Sequence, residues 1–287
     1  MNAFENLIVG GTYTADETVY TERELILGIL WEGDLEIHSN AELMKTNAFG
    51  RPIAHGDGGA AKSAAQLLKM DLFQDKDAIR FKKIGAAYVS PTYVGDRITF
   101  KFTVARKDNL HDGSTEVELL TETTKNNGEA VAKGSMILGC CCPDQPPVLV
   151  GSIPEFMPVT DLHEGNTGRT AGKTLSESDL DLFYRSLYGN GALPENRTKA
   201  PEILVTMLSI GAMNRLGFLE RDLVAVAENT WEYSRDLLVG DTLNVHYAVD
   251  AVKVTKSGGR VVTFALKAVN QRLEIIAQGV WKTFMKG

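Results

Sequence analysis

Asp34 and His38 stand four residues apart in a short polar segment, and a little further on His55-Gly56 opens a run rich in alanine and glycine. An aspartate and a histidine that close can hold one water between them and exchange its protons. A glycine at a helix N-terminus offers a backbone N–H, backed by the helix dipole, to an oxygen on which charge develops. The stretch Gly33–Ala65 therefore holds the parts for acid/base chemistry beside a polarised carbonyl.

The other histidines add nothing to this set. His111 lies by a turn at Asp112-Gly113, His163 lies near a proline-rich stretch, and His246 falls in a strand-like run. None completes a set of metal ligands, so no metal is expected. There is no G-x-G-x-x-G fingerprint and no P-loop.

Around these residues the chain must supply elements to hold them. Thr21-Glu22-Arg23-Glu24 is a capping box that starts a helix over 22–32. The polar residues 33–38 interrupt it, and a further short helix is expected over 40–48, ahead of Gly50 and Pro52. From Gly56 the sequence GDGGAAKSAAQLLKMDLF reads as a helix small enough to lie close to a sheet. Strand-like runs follow at 79–90, 94–106, 115–124 and 129–139, with turns at Asp112-Gly113 and Asn127-Gly128 suited to an antiparallel meander.

Five of the nine prolines fall within residues 140–165, which read as a stiff linker. Beyond it the pattern repeats. Ser176 to Asp179 is a second capping-box-like start, 200–217 a second apolar helix, and 223–234, 239–254, 260–270 and 273–285 are strand-like. A shift of 145 carries Val94-Gly95-Asp96 onto Val239-Gly240-Asp241, Glu129 onto Glu274 and Gly134 onto Gly279. The organisation expected is residues 1–139, a linker over 140–165, and residues 166–287. The duplication fails where the chemistry lies: Gly33 to His55 spans 22 residues, whereas the comparable Gly189 to Ala200 spans 11 and has no histidine. Met207 and Met213 in the second helix suit either core or the wall of a tunnel.

A helix across an antiparallel meander, duplicated in one chain, resembles the double hotdog fold. NAFGRPIAHG, with His38, Phe49, Arg51-Pro52-Ile53, His55 and Gly56 in register, resembles the signature of the MaoC-like hydratases, the (R)-specific enoyl-CoA hydratase/dehydratase family. That family has a D-x-N-P-x-H segment with five residues from Asp to His. Here the separation is four, and Leu35-Glu36-Ile37 replaces the Asn-Pro portion. Glu36 is then a substitute for Asp34 as working carboxylate. Asp57 stands where the family usually has an apolar residue.

The resemblance implies an α+β double hotdog with two antiparallel sheets, each wrapping a central helix. It implies interconversion of a 2-enoyl-CoA and an (R)-3-hydroxyacyl-CoA, with Asp34 and His38 catalytic and Gly56 the oxyanion donor. His55 then anchors the turn before the helix. CoA enters as part of the substrate, with no other cofactor, and the second half shapes the acyl tunnel. Arg51 and Lys62 are candidate partners for CoA phosphates. The internal pseudo-dimer suits a monomer or a homodimer. Thioester hydrolysis on the same fold, and acyl-CoA binding without catalysis, are the competing expectations.

Composition sets the setting. Thirty basic and 37 acidic residues give a net charge of −7, against a nucleic-acid partner. No apolar run approaches the roughly 20 residues of a membrane helix, and the N-terminus lacks a signal-peptide pattern. Cys140, Cys141 and Cys142 are adjacent, which suits small apolar residues at a strand end in a reducing compartment better than disulfides. A cytoplasmic protein is expected.

Overall fold

The computed structural model describes residues 3–74, 76, 78–111, 113–140, 147–152, 162–188, 197–217, 219 and 222–287. Short strands β1 (Thr12–Thr14) and β2 (Thr18–Val19) lead into α1 (Glu22–Glu32). Its capping box forms: Glu24 accepts from the Thr21 backbone N–H at 2.8 Å. Glu24 also pairs with buried Lys62. The helix ends at Gly33, whose φ of 102° lies in the left-handed region.

The segment expected to interrupt the helix is itself partly helical. α2 (Glu36–Ser39) and α3 (Ala41–Met44) replace the single helix expected over 40–48. Leu35 and Ile37 are buried, so the apolar residues of this segment turn inward. Asn40 joins the two turns. Its Oδ1 accepts from the Leu43 N–H at 3.0 Å, and its Nδ2 donates to Glu36 at 2.8 Å.

α4 (Gly56–Lys69) buries a face of Ala61, Ala64, Ala65 and Leu67. The meander follows as β3 (Ile79–Tyr88), β4 (Arg97–Asn109), β5 (Thr115–Lys125) and β6 (Ala130–Cys140). After β7 (Thr167–Arg169), β8 (Lys173–Thr174) and α5 (Glu177–Tyr188) come α6 (Glu202–Asn214), β9 (Leu223–Tyr233), β10 (Thr242–Val254), β11 (Arg260–Val269) and β12 (Ile275–Met285). The shift of 145 maps β4 onto β10 and β6 onto β12 end to end. α6 is buried from Ile203 to Asn214, and a Cβ on Gly211 would stand 1.8 Å from the Trp31 carbonyl, so α6 and α1 touch backbone to backbone.

The strand order is β1-β4-β5-β6-β3-β9-β12-β11-β10-β7 in one sheet, with β2 pairing β4 and β8 pairing β10. This corrects the expectation of two separate sheets. β3 and β9 each have a partner on one side within their own half. Antiparallel pairing between them, from Lys83↔Glu232 to Ala87↔Glu228, satisfies both exposed edges.

Of the linker, residue 140, which ends β6, and residues 147–152 and 162–165 are described. Within it Leu149 bridges Glu274, and the Ile275 N–H donates to the Val148 carbonyl at 2.8 Å. Cys141, Cys142, four of the five linker prolines (143, 146, 154 and 158) and the Gly189-Asn190 segment lie outside the described residues. Among the described residues no helix is long and apolar enough to cross a membrane.

Candidate active site

A cavity of about 220 Å³ lies between the N-terminal end of α4 and the inner face of the sheet, and both halves of the chain contribute to its wall. His38, His55 and Gly56 line it. The two imidazoles are stacked, with centroids 3.6 Å apart and planes at 25°. His38 Nδ1 is 2.8 Å from the Ile53 carbonyl. A carbonyl only accepts, so Nδ1 carries the proton and Nε2 keeps its lone pair. His55 Nε2 likewise donates to the Gly33 carbonyl at 3.1 Å, which ties the turn before α4 to the end of α1.

Burial is the main reason both rings stay neutral. It brings His38 down to about 4, against opposing effects of the Ile53 hydrogen bond and the Asp34 charge. Burial and then His38 bring His55 well below the usual imidazole range. Gly56 is the first residue of α4, where backbone N–H groups have no partner within the helix. A Cβ at this position would stand 2.6 Å from the Tyr88 ring, so glycine leaves room for that ring against the start of α4.

Asp34 is exposed and does not line the cavity. Glu36 points to Asn40 and does not line it either. The carboxyl groups in the wall are Glu32 and Asp57, both buried. Tyr88 Oη and Asn229 Nδ2 donate to Asp57 Oδ1 at 3.0 and 2.7 Å, and Trp231 Nε1 donates to Asn229 Oδ1 at 2.7 Å. Burial raises Asp57 to about 6, against the lowering effect of Asn229 and Tyr88. Burial, and then the nearby Asp57, raise Glu32 well above the usual carboxylate range, with the Gly58 backbone N–H opposing. Glu32 and Asn229 were not legible as site residues. The internal repeat held a signal for Asp57 and Tyr88, because the shift of 145 pairs them with Glu202 and Tyr233.

Other expected residues are placed as follows. Lys62 is buried, donating to the Val19 carbonyl at 2.7 Å and paired with Glu24, so it holds α4 to α1 and does not face a CoA phosphate. Arg51 is exposed and stacks over Tyr93 at 4.1 Å. Met207 and Met213 are buried in the core and do not line the cavity. In the second half, Ala200 and Pro201 stand where His55 and Gly56 stand in the first. Proline has no N–H to offer. Tyr233 there bonds Thr206 at 2.7 Å, and burial raises Glu202 to about 7.

No protein-family model matches the chain, and no curated protein matches it. Solved structures do. A MaoC domain protein from Chloroflexus aurantiacus J-10-fl, assigned as a dehydratase, aligns with a TM-score of 0.78 at 13% identity, over 99% of this chain and 97% of its own. A hypothetical protein from Mycobacterium tuberculosis, described as a double hotdog, aligns with a TM-score of 0.70 at 14% identity, over 99% and 98%. The fold is a double hotdog. A double hotdog of this kind is also similar to a protein from Lactobacillus plantarum assigned as an oleoyl thioesterase, at a TM-score of 0.59 and 9% identity over 97% and 98%. At such identities the likeness is one of fold, and the chemistry rests on the residues.

Proposed function

We propose that this double hotdog protein is a hydratase/dehydratase that interconverts a 2-enoyl thioester and a 3-hydroxyacyl thioester, with an acyl-CoA of (R) configuration at C3 as the substrate. The observation that carries the reading is His38. Its tautomer leaves Nε2 as an acceptor in the cavity wall that Gly56 shares. In the hydration direction, Nε2 takes a proton from water as the water oxygen bonds to C3. The thioester oxygen gathers enolate charge and accepts from the Gly56 N–H. The imidazolium then returns its proton to C2. A ring whose neutral form is favoured this strongly makes a ready acid once charged. CoA enters only as part of the substrate.

Asp34 acts on His38 through its charge alone, because it stands exposed outside the cavity wall. Loss of the conjugated enoyl thioester over a panel of acyl-CoAs tests the reading. His38→Ala is expected to lower kcat/KM by at least about a hundredfold, and Asp34→Asn by less than about tenfold.

Glu32 and Asp57 favour a second reading, thioester hydrolysis. A carboxylate beside the helix N-terminus could direct water to the carbonyl carbon instead of C3. Release of free CoA thiol by the same panel distinguishes the two.

A further inference from the structure

Asp57 is the second residue of α4, next to Gly56, and it lines the cavity. Three side chains fix its carboxyl. The Tyr88 ring packs against Gly56, and its hydroxyl donates to Asp57 Oδ1 at 3.0 Å. Asn229 Nδ2 donates to the same oxygen at 2.7 Å. The orientation of that amide is set from behind, because the indole N–H of Trp231 can only donate and takes Asn229 Oδ1 at 2.7 Å. Asp57 Oδ2 has no hydrogen-bond partner among the described residues, yet it is not sealed in, for it keeps accessible surface. The carboxyl therefore gives one oxygen to the protein and leaves the other to the cavity.

An anionic carboxylate here would repel the enolate charge that grows on a thioester oxygen held by the Gly56 N–H. A neutral carboxyl does the opposite. With two donors on Oδ1, that atom is the carbonyl oxygen, and the proton sits on Oδ2 as a donor to the cavity. Burial favours this neutral form. The titratable groups around Asp57 bring no positive charge against it. Glu32 at the end of α1, Tyr88 on β3 and Tyr233 on β9 face it, and burial favours the neutral form of each. His38 and His55 share the cavity wall as neutral rings.

We propose that Asp57 is a second oxyanion donor: its neutral carboxyl, through the proton on Oδ2, hydrogen-bonds the thioester oxygen beside the Gly56 N–H. The proposal rests on the thioester reading above. The proton stays on Oδ2 throughout, and its bond to the oxygen strengthens as enolate charge develops. Only the protonated carboxyl can take this role, so hydration is tied to the titration of Asp57, which burial raises to about 6. His38, brought down to about 4, stays a base above that value. Activity is therefore highest between the two and falls as the pH rises through that of Asp57.

The test is the pH profile of kcat/KM for hydration of a 2-enoyl-CoA, from about pH 5 to about pH 8. For the parent, kcat/KM is expected to fall by at least about tenfold across this range. Asp57→Asn keeps an oxygen for Tyr88 and Asn229 and turns an N–H donor to the cavity at every pH. It is expected to flatten the profile and to exceed the parent by at least about tenfold at about pH 8. Asp57→Ala is expected to be flat and about a hundredfold slower than Asp57→Asn. The rise in Tm given by a saturated acyl-CoA is a second readout that needs no turnover. It is expected to shrink with rising pH in the parent and to hold in Asp57→Asn. Hydration by the parent with a flat profile, or Asp57→Asn as slow as Asp57→Ala, overturns the donor and leaves the hydratase reading intact. Stabilisation that shrinks with pH, without hydration, supports the donor and overturns the hydratase. Stabilisation independent of pH, without hydration, overturns both. Thiol release that rises with pH and is lost in Asp57→Asn makes Asp57 a base and also overturns both.

Discussion

A histidine brought down to about 4 and an aspartate raised to about 6 stand in the same cavity wall, and both follow first from burial. The Asp57 shift has a consequence for stability. Its folded value lies above its unfolded value of 3.8, so the folded protein bears the cost of ionising it once the pH exceeds both. Asp57→Asn removes that cost while an amide oxygen can still accept from Tyr88 and Asn229. The variant is expected to be more stable than the parent at pH 8 by about 2–3 kcal/mol, with the gap closing as the pH falls through 6 towards 4. Urea unfolding at the two ends of this range checks it. At this scale the sequence brought together His38 and Gly56, which line one cavity and whose spacing is fixed by one turn and one helix start. It did not show which carboxylate lines that cavity. Which of residues 32, 34 and 36 faces inward depends on where α1 stops and how Gly33 bends the chain, and neither is set by residue type alone. The bend leaves Glu32 inside and Asp34 in solvent.

Elements were read more reliably than side-chain directions. α1 occupies the expected 22–32 because its capping box and terminal glycine are both local signals. The strands followed from β-branched runs between turn residues. The split into α2 and α3 was not legible, since Leu35 and Ile37 are drawn inward by tertiary burial. The duplication also exposes a strained turn. Gly128, with φ of 84°, closes the β5–β6 hairpin, and its counterpart in the β11–β12 hairpin is Leu273, with φ of 62°. Leucine is disfavoured in the left-handed region by about 1–2 kcal/mol, and glycine gives back part of the gain as chain entropy. Leu273→Gly is therefore expected to stabilise the protein by about 0.5–1 kcal/mol, read as a raised midpoint in thermal or urea unfolding.

Across the whole molecule, two copies of one plan share a single sheet and differ at the cavity. The first copy supplies His38, Gly56 and Asp57. The second has Pro201 in place of the glycine and sends Asn229 across to Asp57. The β3–β9 seam was not visible in the sequence, because an edge strand and an internal strand of an antiparallel sheet can have the same apolar pattern. With that seam, and with α6 pressed against α1, the halves are expected to unfold together. A single transition that coincides by far-UV and tryptophan signals supports this, and two separated transitions would count against it. The most direct test of the chemistry is a comparison of the parent with His38→Ala on enoyl-CoAs, following the enoyl chromophore and free thiol together. The expected result is chromophore loss by the parent without thiol release, and at least about a hundredfold slower loss in the variant. Thiol release at the rate of chromophore loss, or a variant as fast as the parent, would contradict it.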